Sequence, residues 1–323
     1  MMRYVVTGGA GFIGSNTVDE LVRRGHSVTV LDDLSGGNEA NLASVRERIT
    51  FIRGTISDRD TVERACRGAD YVLHLAARTS VPRSVKQPLE TNQINVDGTL
   101  NVLVAARDAG VRRVVFASSS SVYGDTPTLP KNEGMPPAPI SPYGVSKLVG
   151  ELYGRVFHRI YGLDFVALRY FNVFGPRQDP GSPYSGVLSL FITAMRDGGQ
   201  PSVFGDGEQS RDFTFVQNVV IANLQACETP GIAGRIVNLG TGARYTLNYT
   251  LRLLEGFAGR PAKPKYDAPR EGDIRNSQAD ISLATETFGY KTHVNFEEGL
   301  RKTWDWYCSQ PRSFRQNRTR ILP

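Results

Sequence analysis

Along the first half of the chain, short runs rich in Val, Ile, Leu and aromatic residues alternate with longer stretches whose apolar positions recur at helical spacing. Residues 3–7, 27–32, 49–53, 71–75, 113–117 and 165–169 read as strands, and residues 12–25, 58–67, 93–109 and 142–161 as the helices between them. Strands separated by helices pair in parallel through crossovers, so the pattern predicts an α/β fold built on a doubly wound parallel sheet. The apolar runs from Val28 to Leu31 and from Val114 to Ala117 fit strands covered on both faces.

From about residue 175 the texture changes. Gly175-Pro176 and Asp179-Pro180-Gly181-Ser182-Pro183 punctuate the chain. Beyond them come an amphipathic helix carrying Val187, Leu190, Phe191 and Ala194, a second helix at 218–227 and a strand at 235–239. We expect a nucleotide-binding domain over 1–174 and a smaller C-terminal α/β substrate domain over 175–323, with segments around 213–240 returning to the main sheet. Internal repeats and low-complexity tracts are not evident.

Composition narrows the class. The 323 residues are 40% hydrophobic and 22% charged, as in ordinary globular proteins, and carry no apolar run long enough for a membrane span. The chain enters a buried strand at once, so no secretory signal is expected. Cys66, Cys227 and Cys308 are odd in number and widely spaced, without His or Cys partners at metal spacing. A reducing, cytoplasmic setting and no metal are therefore expected. The formal charge of +6 is spread among alternating acids and bases, which argues against nucleic acid as a partner and fits a small anionic one. The acid-free tail with Arg312, Arg315, Arg318 and Arg320 reads as a solvated or subunit-packing segment.

Candidate chemistry begins at Gly8-Gly9-Ala10-Gly11-Phe12-Ile13-Gly14, between the first strand and first helix. Glycines at 8, 11 and 14 permit a tight turn, close backbone approach to a pyrophosphate and close helix–sheet packing. The helix N-terminus then offers free N–H groups to the phosphates. About 20 residues on, Asp32 ends the second strand, where a carboxylate accepts the adenosine ribose hydroxyls and repels a 2′-phosphate. Together they predict a Rossmann-type site for NAD in preference to NADP. Asp33 either shares that role or caps the following loop.

Tyr143 and Lys147 are spaced to project from one face of a helix. An ammonium beside a phenol is expected to lower the phenol's pKa from about 10 towards neutrality. Such a tyrosine can take a proton from a sugar hydroxyl as hydride leaves the same carbon.

At this point the chain resembles the extended short-chain dehydrogenases/reductases over nearly its whole length. The matching segments are Thr7 to Gly14, His74-Leu75-Ala76-Ala77, Ser118 to Gly124, Tyr143 with Lys147, Arg169 to Gly175, and Gly205-Asp206-Gly207 with Arg211-Asp212-Phe213. Within that family it is most similar to UDP-hexose 4-epimerases, those acting on N-acetylhexosamines above all; residues 172–186 and 272–281 carry the narrower likeness. The resemblance implies that Leu75, Ala76, Ala77 and Asn95 lie at the cofactor and that Ser119 bonds the reacting sugar oxygen, with Ser120 and Ser121 beside it. It implies that Asn172, Arg211 and Arg270 hold the nucleotide diphosphate, which suits the planar fork of arginine. One departure falls at Gly54-Thr55-Ile56, where such epimerases commonly carry an acid against adenine; Thr55 and Ile56 are expected to make an altered contact, and Asp58 lies further on.

Dehydratases and decarboxylases of the family resemble Thr-Asp-Glu or Thr-Ser-Glu at positions 119–121, where this chain has three serines. A serine cannot act as a general acid near neutrality, which argues against dehydration and, less firmly, decarboxylation. The expected reaction is therefore 4-epimerisation of a UDP-sugar. The resemblance places Ser277 where glucose-restricted epimerases carry a bulky tyrosine, which favours UDP-GlcNAc/UDP-GalNAc and leaves 6-carboxylated sugars open. A lyase on the same scaffold is the alternative; a non-catalytic NAD sensor is disfavoured because Tyr143, Lys147, Ser119 and the arginines are all kept. The resemblance also implies a homodimer through helices 93–109 and 142–161, with Val102, Ala105, Val149, Leu152 and Val156 available; equally, those side chains can pack into the protein's own core.

Overall fold

The computed structural model describes residues 1–179, 186–269 and 274–311. The chain runs β1 (Arg3–Thr7), α1 (Phe12–Arg23), β2 (Ser27–Asp32), β3 (Thr50–Arg53), α2 (Arg59–Cys66), β4 (Tyr71–His74), α3 (Val81–Lys86) and α4 (Pro88–Asn92). A π-helical turn at Gln93–Asp97 joins α4 to α5 (Gly98–Asp108); β5 (Arg113–Ser119), α6 (Pro142–Tyr161), β6 (Asp164–Tyr170) and β7 (Val173–Phe174) follow. The remainder is α7 (Val187–Arg196), β8 (Ser202–Phe204), β9 (Ser210–Arg211), β10 (Thr214–Phe215), α8 (Val216–Glu228) and β11 (Ile236–Leu239). Last come β12 (Tyr245–Thr246), α9 (Leu247–Ala258), β13 (Lys265–Asp267), α10 (Ser282–Phe288) and α11 (Phe296–Ser309).

Seven strands form one parallel sheet in the order β11-β6-β5-β4-β1-β2-β3. The expected doubly wound sheet is present, and the strand at 236–239 joins its edge beside β6, far from its neighbours in sequence. Side chains along the central strands alternate between two cores, as a period of two requires. Val5, Val72, Val114, Phe116, Phe165 and Ala167 face α2, α5 and α6. Tyr4, Val6, Leu73, Val115, Val166 and Leu168 face the side of α1 and α8, in a core that continues to Phe174, Phe213, Phe296 and Trp304. The later chain also pairs β13 with β8 and β12 with β9 in two-stranded ladders.

The differences from expectation have local causes. The helix expected at 93–109 begins earlier, at Pro88 after a short first helix, and passes through the π turn, whose wider ring breaks the 3.6-residue period. Helices α3 and α11 went unread because the first is one and a half turns long and the second carries few aliphatic residues on its buried face. Val102 and Ala105 are buried in the core beneath α5, so they pack inside the subunit and offer no docking face.

Helix α6 is capped by the Ser141 hydroxyl, which accepts from Gly144 N at 3.1 Å, with Pro142 in the first turn and Gly162 in the left-handed conformation at its end. It packs tightly on β5 and β6: a Cβ at Gly154 would stand 2.1 Å from the Phe165 ring, and one at Gly150 2.5 Å from Phe116. A methyl group there must push the helix off the sheet. Gly154→Ala is therefore expected to destabilise the protein by about 1–3 kcal/mol, read by chemical denaturation, despite the better helix propensity of alanine. An unchanged or raised denaturation midpoint would contradict this packing.

Candidate functional site

Strand order reverses direction at β1, where the connections leave towards β2 on one side and β4 on the other, and ligands bind outside the strand ends at such a point. The loop after β1 turns at Gly8, which has φ +70 and donates from its N–H to Leu31 O at 2.8 Å. At Gly14 a Cβ would lie 2.1 Å from Gly8 O, so only glycine lets α1 begin this close to the turn. The Asp32 carboxylate accepts from Ala10 N at 2.9 Å and from Leu34 N at 2.8 Å. It thus fixes the glycine loop from behind as well as lining the cleft. Asp33 accepts from Ser35 N at 2.9 Å and pairs with Arg78, so it caps its loop as one of the two sequence readings held.

These elements enclose a cavity of about 500 Å³. It is lined by Gly8, Gly11, Phe12, Ile13, Gly14 and Asp32 on one side and by Thr55, Ile56, Leu75, Ala76 and Ala77 on the other. Ser119, Ser120, Ser121, Tyr143, Lys147 and Asn172 close its far end, whereas Asp58 is not among the lining residues. The backbone cradle, the uncapped start of α1 and the acid at the end of β2 fit a dinucleotide. A second cavity of about 470 Å³ adjoins it and shares Val81, Ser121, Asn172, Val173 and Gln178 with the first. Its other walls include Ile140, Leu188, Phe204, Arg211, Phe213 and Ile274, so among the described residues it combines a largely apolar surface with one cation.

The side chains expected to react line the first cavity near Ser121 and Asn172, which it shares with the second. Ser119 caps the turn at Ser120–Tyr123, accepting from Ser121 N at 3.1 Å, and the hydroxyls of Ser119 and Ser121 lie 3.1 Å apart. Tyr143 is held through its backbone N–H, which donates to Ser84 Oγ of α3 at 3.1 Å. Lys147 is buried; its Nζ donates to Ala117 O at 2.7 Å and stands 4.8 Å from the Phe116 ring centroid and 5.8 Å from that of Tyr143. One turn further along α6, Glu151 is wholly buried, pairing with Arg169 at 2.8 Å and accepting from Ser118 Oγ at 2.5 Å.

The electrostatics correct one expectation. Burial raises the Tyr143 phenol above its ordinary range, and a hydrogen bond with Ser119 opposes that rise. Burial also pushes the Lys147 ammonium down to about 7, against the pull of Glu151. Desolvation thus outweighs the effect expected from the tyrosine–lysine spacing, because the lysine is itself stripped of water and turned towards a backbone carbonyl.

Asn95 sits differently from the place implied for it. It is buried at 2% exposure and is not among the cavity-lining residues. Its Oδ1 accepts from Arg78 N at 2.7 Å, and its Nδ2 donates to Arg78 O at 3.0 Å and to Ser146 Oγ at 3.0 Å. It therefore fixes the loop after β4 to α6 from behind the cleft. A second polar chain supports the same floor. The Thr99 hydroxyl donates to Asn95 O at 2.6 Å, leaving His74 Nε2, 3.0 Å away, to donate to Thr99 Oγ1, while Nδ1 accepts from Thr7 at 2.7 Å. Burial pushes His74 down to about 3, in keeping with this neutral tautomer.

Arg211 lines the second cavity, and its Nη1 donates to Ser210 O at 3.0 Å and Arg275 O at 3.1 Å. Asn172, at φ 32, donates through Nδ2 to Asp212 O at 3.1 Å. Ser277 donates from its backbone N–H to Ser210 O at 3.0 Å, close to that cavity, yet is not among its lining residues. Arg270 and the arginine tail from 312 lie outside the described residues. Sequence reading missed Asp212, which is fully buried and accepts from Thr241 N at 2.8 Å, Gly242 N at 3.0 Å and Ala279 N at 3.1 Å. It ties two distant segments, at 241–242 and 279, to the one that carries Arg211; its place beside Arg211 in sequence was the available signal. Among the described residues no acid, histidine and cysteine cluster could hold a metal, and no helix is long and apolar enough to cross a membrane.

A glycine-cradled dinucleotide cleft meeting a tyrosine–lysine pair and a serine defines an extended short-chain dehydrogenase/reductase. More narrowly, the chain belongs to the NAD dependent epimerase/dehydratase family, whose model matches residues 4–240. It is 39% identical over 311 residues to a putative UDP-glucose 4-epimerase of Methanocaldococcus jannaschii, covering 96% of this chain and 99% of that protein. Among solved structures it is similar to a UDP-N-acetylglucosamine 4-epimerase from Methanobrevibacter ruminantium M1 in complex with UDP-N-acetylmuramic acid. That match has 43% identity and TM-score 0.92 over 96% of this chain and 99% of the other. A dTDP-glucose 4,6-dehydratase from Streptomyces venezuelae with NAD bound is also similar, at 36% identity and TM-score 0.87 over 95% and 97% of the two chains.

The lysine carries a stability consequence. A base whose pKa is depressed to about 7 from the unfolded value near 10.4 releases its proton on folding between those limits, so its contribution becomes more favourable as pH rises through that window. Lys147→Met is expected to raise the melting temperature of the nucleotide-free protein near pH 7, on the order of 2–4 °C, with the advantage shrinking towards pH 10. Thermal melts at both pH values that showed the variant equally destabilised would contradict a desolvated ammonium.

Proposed function

We propose that the protein is an NAD-dependent 4-epimerase of UDP-sugars, acting on UDP-GlcNAc and UDP-GalNAc. The observation that carries the choice of reaction is the wall where the cavities meet: Ser119, Ser120, Ser121 and Tyr143 line it with no carboxylic acid at positions 119–121. Proton transfer at one hydroxyl is within reach of these groups, whereas expulsion of water needs a further acid.

NAD bound along the glycine loop supplies a reversible hydride acceptor. Tyr143 takes the proton of the hydroxyl on carbon 4 and later returns it, with Ser119 bonded to the same oxygen. Lys147 contributes positive charge near the phenol and positions the nicotinamide ribose. Asn172, Arg211 and Arg270 hold the diphosphate while the 4-keto sugar turns to present its other face. The roomy, largely apolar second cavity adjoining the site supports this turning by giving the substrate space. The narrower substrate reading is supported by the likeness to the UDP-N-acetylglucosamine 4-epimerase and by the small side chain of Ser277.

The protein is further proposed to form a homodimer through α6. Val145, Leu152, Val156 and Ile160 are exposed along that helix, where a second copy would cover them.

Tyr143→Phe is expected to lower turnover about 10²–10⁴-fold with UDP-sugar and NAD binding retained. Near-normal turnover would remove Tyr143 from the chemistry. Incubation with UDP-GlcNAc should yield an isomer of unchanged mass, whereas a product lighter by water identifies a dehydratase. Ser277→Tyr should depress activity on N-acetylated substrates selectively; equal loss on UDP-glucose and UDP-GlcNAc would refute the steric reading.

A further inference from the structure

The loops after β2 and β4 stand on either side of the glycine loop, because β1 lies between those two strands. One side chain spans them. Arg78 leaves the β4 loop, its Nη1 donates to Ser35 Oγ, and its Nη2 lies 3.4 Å from the Asp33 carboxylate. Its Nε donates to Glu90 Oε1 at 3.1 Å, and Glu90 is held in turn by Arg83 at 3.0 Å. Both backbone polar groups of Arg78 are fixed by the Asn95 amide, at 2.7 and 3.0 Å. Asp33, Ser35, Arg78 and Thr79 all line the cofactor cavity, and the Arg78 side chain is only 17% exposed.

We propose that Arg78 is a strap across the mouth of the cofactor cleft, opening to admit the dinucleotide and, once closed on Ser35 and Asp33, retaining it through turnover. The inference rests on the epimerase reading. A catalyst that lends hydride to NAD and takes it back must not lose the reduced cofactor while the sugar turns. The device suits that need. The anchor is the Arg78 backbone, pinned by Asn95, whereas the guanidinium's contacts with Ser35, Asp33 and Glu90 are partly exposed pairings that open at small cost.

The test measures NAD entry and release on the full chain by stopped-flow fluorescence. Arg78→Ala is expected to speed release roughly two- to fivefold and to speed entry as well, because a gate slows passage in both directions. Ser35→Ala, on the opposite loop, should act in the same direction, and the double variant should add little to Arg78→Ala. Faster release with unchanged entry would mean a direct contact with NAD and overturn the strap, as would additive effects of the two substitutions. Arg78→Gln, which keeps a donor for Ser35, should fall between; matching Arg78→Ala in rates while melting well below the parent would mark a structural role and also overturn it. A parent protein that holds no NAD would bring down the cofactor reading as well, whereas NAD held normally but released at the same rate by every variant sinks only the strap.

Discussion

The site depends on how closely α6 can lie on the sheet. Gly150 and Gly154 remove the side chains that would otherwise separate the helix from Phe116 and Phe165. With that spacing set, the first turns of the helix bring Tyr143 and Lys147 to the carboxyl end of β5, where Ser119 ends the strand. A helix held even an ångström further out would separate the phenol from the serine hydroxyl and the ammonium from Ala117 O. The chemistry is therefore a property of packing as much as of residue type.

A second layer holds this geometry from behind. Asn95, His74, Thr7 and Thr99 form polar chains that no longer reach solvent, and each hydroxyl and ring nitrogen has a defined donor or acceptor role. Such networks are costly when incomplete and specifying when complete. They link the strand that ends in the glycine loop, the loop that lines the opposite wall and the helix that carries Tyr143 and Lys147. The floor of the cleft and the end that holds Tyr143 and Lys147 are thereby built as one piece. The flanking second cavity is less polar.

Burial sets the charge balance of the site. Lys147 and Tyr143 share a poorly hydrated corner in which neither favours its charged form, and the one acid close to the lysine, Glu151, is engaged by Arg169. Both groups respond to charge placed nearby, a positive one favouring the phenolate of Tyr143 and at the same time disfavouring the ammonium of Lys147. That places the energetic emphasis on what enters the cleft and explains why spacing along the helix alone misjudged the phenol.

The sequence by itself determined the alternation of strands and helices, the glycine turn with its distant acid, and the pairing of Tyr143 with Lys147. Each of these is a local pattern fixed by backbone periodicity or by a conformation only glycine tolerates. Tertiary structure alone decided which apolar faces turned inward, burying Val102 while leaving Leu152 on the surface, and it moved Asn95 from the cleft to its support. It also brought Arg78 to Ser35 and Asp212 to Ala279, partners 43 and 67 residues apart. Contacts of that range depend on how the crossovers close, and desolvation depends on every neighbour at once, so neither is written in the spacing of residues along the chain.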